Sequence, residues 1–125
     1  MRTYLWIGLA GAIGALLRTG IGEILPHKSG FPVATFMVNI IGTFLLCFLV
    51  TGVVQKISAS KPIQDAITTG FLGSFTTFSA LSMETVLLVE NGELVIAVLY
   101  VGVSIAGGLA AGLFGFHMGQ KQVRA

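Results

Sequence analysis

Four stretches of this chain, residues 4–25, 33–54, 63–89 and 94–116, are nearly free of charge. Each meets the roughly 20 apolar residues that a helix needs to cross the hydrocarbon core of a bilayer. A bilayer leaves no water for unpaired backbone groups, so a spanning segment of this length must be a helix. The four stretches take up almost all of the 125 residues, and the links between them are short. The first link holds Pro26, His27, Lys28, Ser29 and Gly30, the second runs from Lys56 to Pro62, and the third is Glu90, Asn91, Gly92 and Glu93. The expectation is an all-α membrane protein of four transmembrane helices, with residues 1–125 forming one domain. A soluble fold is excluded, because 10% charged residues cannot coat a water-facing surface that ordinarily needs about a quarter.

Several other classes drop out on the same grounds. Arg2 before an apolar stretch, with the small residues Ala10, Gly11 and Ala12 after it, imitates a signal peptide. That apolar stretch is too short for one, and hydrophobicity continues past the small residues, so the segment reads as the first membrane helix. The single Cys47 has neither a disulfide partner nor a metal-site partner. His27 and His117 fall on opposite sides by topology, and no catalytic constellation appears, so the chain does not read as an enzyme. A net charge of +2 calls for no acidic partner, and no nucleic-acid binding is expected. With four spans, both termini share a side with the second link, which holds Arg2, Lys56, Lys61, Lys121 and Arg124. The other side holds Lys28, with Arg18 near it. Basic residues collect on the cytoplasmic side, which predicts a cell-membrane protein with cytoplasmic termini.

Seventeen glycines would ruin a water-soluble bundle, but in lipid small residues let helix backbones approach closely. Gly8 and Ala12, Gly11 and Ala15, Gly102 and Ala106, Gly108 and Gly112, and the series Gly107, Ala111, Gly115, Gly119 recur four apart and predict smooth ridges on the first and fourth helices. Four such helices are few to enclose a pathway, which points to a dimer or larger oligomer.

The informative residues are those that a bilayer should not tolerate. Asn39 lies about a third of the way into the second span, with Gly42 and Thr43 on the same helical face. Its amide can bind another helix or line a wet cavity. Arg18 can anchor the first helix at the interface or place a cation in an aqueous vestibule. The segment 68–79 in the third span is rich in Gly, Ser and Thr and forms helix poorly, which predicts a broken helix whose freed carbonyls can hold a cation. Phe71, Phe75 and Phe78 interleave with it, the last two on neighbouring positions of one face in a regular helix. A ring edge is electropositive and can meet an anion without trapping it. Glu84 follows, and Tyr100 and Ser104, four apart on the last helix, place two hydroxyls on one side.

These residues resemble the small bacterial fluoride channels of the Fluc/CrcB family. The likeness runs from Gly11, Gly14, Ala15 and Arg18 through Asn39, Gly42 and Thr43 and through Gly70, Phe71, Gly73, Thr76, Thr77, Phe78 and Ser79 to Glu84. The resemblance implies an antiparallel dimer with two pores, passive fluoride export and a structural Na+ at the dimer centre. It implies further that Asn39 donates to fluoride, that Phe78 is the first of two pore phenylalanines, with Ser79 beside it, and that the carbonyls of Gly73 and Thr76 face the sodium. Arg18 and Glu84 then belong to a vestibule, and Tyr100 and Ser104 to a polar track. Fluoride is small and strongly hydrated, so a pore must replace its water with close donors. One position departs from the family pattern Phe-Ser-Thr-Phe-Ser, because this chain reads Phe78-Ser79-Ala80-Leu81-Ser82 and puts Leu81 where the second pore phenylalanine belongs. With the one-sided basic residues, this leaves two assemblies open: the homodimer that is the family default and a heterodimer with a paralogous subunit. The rival reading is a proton-coupled carrier like the small multidrug exporters, which needs a carboxylate deep in the membrane.

Overall fold

The computed structural model describes residues 1–25, 30–57 and 60–124; Lys28 and His27 lie outside them. Four helices are long and apolar enough to cross a membrane: Arg2–Ile24, Val33–Val53, Lys61–Glu90 and Leu94–Arg124. The first is unbroken and is called α1 (Arg2–Ile24). The second, α2 (Val33–Phe48), follows Pro32, whose missing N–H is no loss at a helix start. It continues through a wider π-type turn at Leu49–Val53 into Val54–Ile57. The third span begins as α3 (Lys61–Asp65), widens into π-type turns over Ala66–Leu72 and closes at Gly73–Phe75. After a break it resumes as α4 (Phe78–Glu90). A tight turn then reverses the chain, with Gly92 at φ +78°, where a side chain would be strained. The last helix, α5 (Leu94–Arg124), has 31 residues. At 1.5 Å per residue it reaches about 46 Å, well beyond the hydrocarbon core.

Packing divides the bundle into two close pairs, α2 on α5 and α1 on the π-type stretch of the third span. Glycine makes both approaches possible. A Cβ on Gly14 would strike the carbonyl of Phe71, and one on Gly70 would lie 2.5 Å from the carbonyl of Ile7. On the other pair, Gly115 lies against the carbonyl of Phe44, while a Cβ on Gly119 would lie 2.8 Å from the carbonyl of Phe48. The predicted ridge through Gly107, Gly115 and Gly119 is therefore the α2 contact. The ridges through Gly8 and Gly102 are not used in this way, since a Cβ added at either would meet no other described residue within 4 Å. The buried core is small, and its fully buried side chains are Tyr100, Leu72 and Val38 among the described residues. That is ordinary for lipid-embedded helices, where large apolar side chains gain nothing by turning inward.

Candidate functional site

The third span breaks at two residues rather than along the whole glycine- and hydroxyl-rich segment. Thr76 (ψ 156°) and Thr77 (φ −152°, ψ 120°) are extended, while 66–72 stays helical in its widened form. The cause lies on another helix. Thr76 still donates to the Leu72 carbonyl at 3.1 Å and closes the last turn. The next N–H, that of Thr77, would close on Gly73 but instead donates to Asn39 Oδ1 at 2.7 Å. Asn39 Nδ2 in turn donates to the Thr77 carbonyl at 3.0 Å. The amide side chain thus replaces the helix as partner for both backbone groups of Thr77. Thr77 Oγ1 then caps α4 by accepting from the Ala80 N–H at 3.1 Å. It also shares a hydrogen bond with Ser79 Oγ at 3.1 Å. The N–H groups that would close on the carbonyls of Gly73 and Thr76 are those of Thr77 and Ala80, and both are engaged elsewhere.

Asn39 is both glue and a site residue. A carboxamide nitrogen carries two protons, and Thr77 takes one. Asn39 also lines a cavity of about 160 Å³ with Thr43, Phe78, Leu81, Ser104 and Gly108. Ser104 lines it as well, and its Oγ is buried with no hydrogen-bond partner among the described residues. Thr43 Oγ1 donates back to the Asn39 carbonyl at 2.7 Å. Around the cavity stand one amide N–H that Thr77 leaves free, one ring and an aliphatic wall, with the unpaired Ser104 hydroxyl buried at its border. That set is suited to a small anion that sheds water and accepts hydrogen bonds.

The break overturns the expectation that Phe75 and Phe78 share a face. Phe75 is 6% exposed and stacks on Phe71 at 5.9 Å, whereas Phe78, beyond the break, is 80% exposed and borders the cavity. Leu81 lines the cavity too and packs against the cluster of Leu88, Ala97 and Tyr100. Ser79 is exposed and is not part of that lining.

The hydroxyls expected in line diverge. Ser104 borders the Asn39 cavity, but Tyr100 is fully buried and its hydroxyl donates to Glu84 Oε2 at 2.7 Å. Thr35 Oγ1 donates to Glu84 Oε1 at 2.7 Å. Thr35 was not singled out from the sequence, although it lies four residues before Asn39, where the spacing could have exposed it. Glu84 lines two further cavities, of about 360 and 100 Å³, the first bordered by Gly30 and Phe31, the second by Thr35 and Phe31. Arg18 is half-buried, its Nε has no hydrogen-bond partner, and it lines neither of these cavities. Among the described residues, the two cavities that Glu84 lines do not include Arg18, the other expected vestibule residue. At the opposite end of the bundle, Lys56 Nζ donates to the Gln122 carbonyl at 3.2 Å, beside a cavity of about 270 Å³ lined by Thr51, Phe116, Gln120, Val123 and Arg124.

Comparison with known proteins returns one family. The model described as "CrcB-like protein, Camphor Resistance (CrcB)" matches residues 5–116. The chain is 40% identical over 121 residues to "Fluoride-specific ion channel FluC 2" of Geobacillus kaustophilus, covering 95% of this chain and 94% of that one. It is 40% identical over 121 residues to the protein of the same name in Listeria innocua, covering 97% and 93%. With "Fluoride-specific ion channel FluC" of Oceanobacillus iheyensis it shares 43% over 118 residues, covering 94% and 92%.

Proposed function

Because the chain belongs to the CrcB-like family, we propose that it is a fluoride-selective channel of the cell membrane that lowers cytoplasmic fluoride by passive export. The observation that carries this reading is the cavity at the helix break, bordered by Asn39, whose amide keeps one N–H beyond that given to Thr77, by Ser104, whose buried hydroxyl has no partner among the described residues, and by the Phe78 ring. Fluoride gives up hydration only against close, strong donors, and charge-assisted hydrogen bonds from an amide and a hydroxyl meet that need. Neither donor carries a full positive charge that would hold the ion in place. Phe78 can turn its electropositive ring edge toward the anion. The chemistry is that of a channel and not of an enzyme.

The finer assignment is an antiparallel dimer with two pores and a structural sodium ion. The released carbonyls of Gly73 and Thr76 fit such an ion, since Na+ is a hard cation that prefers neutral oxygen donors. Gly73 is exposed, which leaves this end of the break open to a second chain. Bound there, the ion would supply positive charge that holds the break open. A homodimer is the simpler assembly. Two observations favour a paralogous partner instead. Leu81 offers no ring edge to the cavity that it lines. The exposed bases Arg2, Lys56, Lys61, Lys121 and Arg124 all lie at one end of the bundle, which biases a chain toward one orientation.

Fluoride efflux from liposomes containing the purified chain tests the reading. The expected result is an electrogenic, fluoride-selective flux that needs no pH gradient, reduced in both Asn39→Asp and Phe78→Ile. Unchanged flux in both variants would remove the pore assignment, and a flux that requires a proton gradient would favour a coupled carrier. Robust efflux from the chain expressed alone would exclude an obligate heterodimer.

A further inference from the structure

We infer that the outward face at the start of α1 holds an anionic phospholipid, with its phosphate at Arg2 and one acyl chain along Leu5, Trp6 and Leu9. The inference goes beyond the channel reading and depends only on the bundle standing in a bilayer. Arg2, Leu5, Trp6 and Leu9 line a groove of about 350 Å³. They are spaced three and four apart, so they share one face of the helix. That face points away from the bundle, since Ile7 and Gly14 meet the third span on the other side.

Each residue fits one part of such a lipid. α1 has 23 residues and runs about 34 Å, slightly more than the hydrocarbon core, so its first residue stands at the level of the headgroups. Arg2 is exposed there, and among the described residues the salt bridge is Lys61 with Asp65, which leaves Arg2 without an acidic partner. The first turn of α1 contains no acidic residue either. A guanidinium meets phosphate oxygens with two parallel N–H groups. Trp6 stands one turn deeper and is exposed. At this depth an indole turns its ring toward the chains and its N–H toward the headgroup. Leu5, Leu9, Ile13 and Leu16 continue the face as exposed apolar side chains. From Leu5 to Leu16 the helix rises about 16 Å, the depth of one leaflet's share of the core.

Charge decides which lipid is held. Phosphatidylcholine carries a cation beside its phosphate and is neutral overall, so part of the attraction to Arg2 is cancelled. Phosphatidylglycerol keeps a net negative charge and adds hydroxyls. One base close to an anionic membrane surface is worth about a fivefold preference. Free phosphate would satisfy Arg2 but leave the apolar groove empty, and the groove therefore selects a lipid.

Trp6 is the single tryptophan of the chain, so its fluorescence reports on this groove alone. Bromine on an acyl chain quenches an indole that it touches. The full chain is placed in liposomes of phosphatidylglycerol and phosphatidylcholine at equal mole fraction, with bromine on the chains of one lipid or of the other. The expected result is stronger quenching by brominated phosphatidylglycerol, corresponding to about fivefold enrichment at Trp6. Arg2→Gln should make the two lipids quench equally, whereas Lys121→Gln, at the same end of the bundle but on α5, should keep the preference. Equal quenching in the unaltered chain overturns the proposal, as does a preference that survives Arg2→Gln. A preference lost equally in Lys121→Gln also overturns it, because general surface charge and not the groove then attracts the lipid. So does an absence of quenching by either lipid, which would mean that protein, such as a second copy of the chain, covers the face. None of these readouts uses fluoride, so failure of the channel reading is a separate result.

Discussion

Replacing Asn39 with leucine keeps the side-chain shape and removes the two hydrogen bonds to Thr77, at 2.7 and 3.0 Å. Two estimates of the effect disagree. Counting each Thr77 group as buried and unsatisfied gives about 1–3 kcal/mol apiece. Polar contacts between membrane helices measured in place average about 0.6 kcal/mol and reach about 1.7, because the dissociated helices find other partners. The lower figure applies here, since a Thr77 N–H released by Asn39 can return to the Gly73 carbonyl one turn back. The expected loss for both bonds together is about 1–3 kcal/mol, or up to roughly a hundredfold in the unfolding equilibrium. Unfolding in mixed micelles of rising dodecyl sulfate fraction, followed by far-ultraviolet ellipticity, measures it. Thr43→Val is the matched control, because the Thr43 hydroxyl bonds only to the carbonyl of Asn39 in its own helix. That variant should change stability by less than about 0.5 kcal/mol. Asn39→Asp should fall between them, since it keeps the acceptor for the Thr77 N–H but sets an oxygen against the Thr77 carbonyl. If Asn39→Leu is no less stable than Thr43→Val, the amide does not hold the break and the argument for the released carbonyls fails with it.

Other outcomes follow from the same geometry. Phe75→Ala should lower stability by roughly 2–4 kcal/mol in the same titration, because that ring is buried against Phe71, whereas Phe78→Ala should leave stability alone and reduce fluoride efflux. Gly119→Ala should destabilise by about 1–3 kcal/mol, because its Cβ would lie 2.8 Å from the Phe48 carbonyl, while Gly8→Ala, with open space around it, should be neutral. Tyr100→Phe removes one of the two donors on Glu84 and should cost about 1–3 kcal/mol; an unaltered unfolding midpoint would show that the hydrogen bond adds nothing to the fold.

The four spans were legible because crossing a bilayer depends on length and on freedom from charge, both of which are local properties of the chain. The broken third span was legible for a related reason, since glycines and hydroxyl residues compete with the helix wherever they cluster. Asn39 stood out because an amide in hydrocarbon must find a partner, although its identity could not be read from α2 alone. Tertiary structure supplied that partner, Thr77, 38 residues away. This choice sets the break at Thr76 and Thr77 and leaves 66–72 helical. It also decides which way each neighbouring side chain turns. With two extended residues between them, Phe75 goes inward and Phe78 outward, where a regular helix would have kept them together. Tyr100 and Ser104 share a side of α5, yet one meets Glu84 and the other the Asn39 cavity, because their surroundings come from different helices. Periodicity describes how one helix is decorated; in a bilayer, the pairing of its polar groups is settled by whatever other helix brings a donor or acceptor within reach.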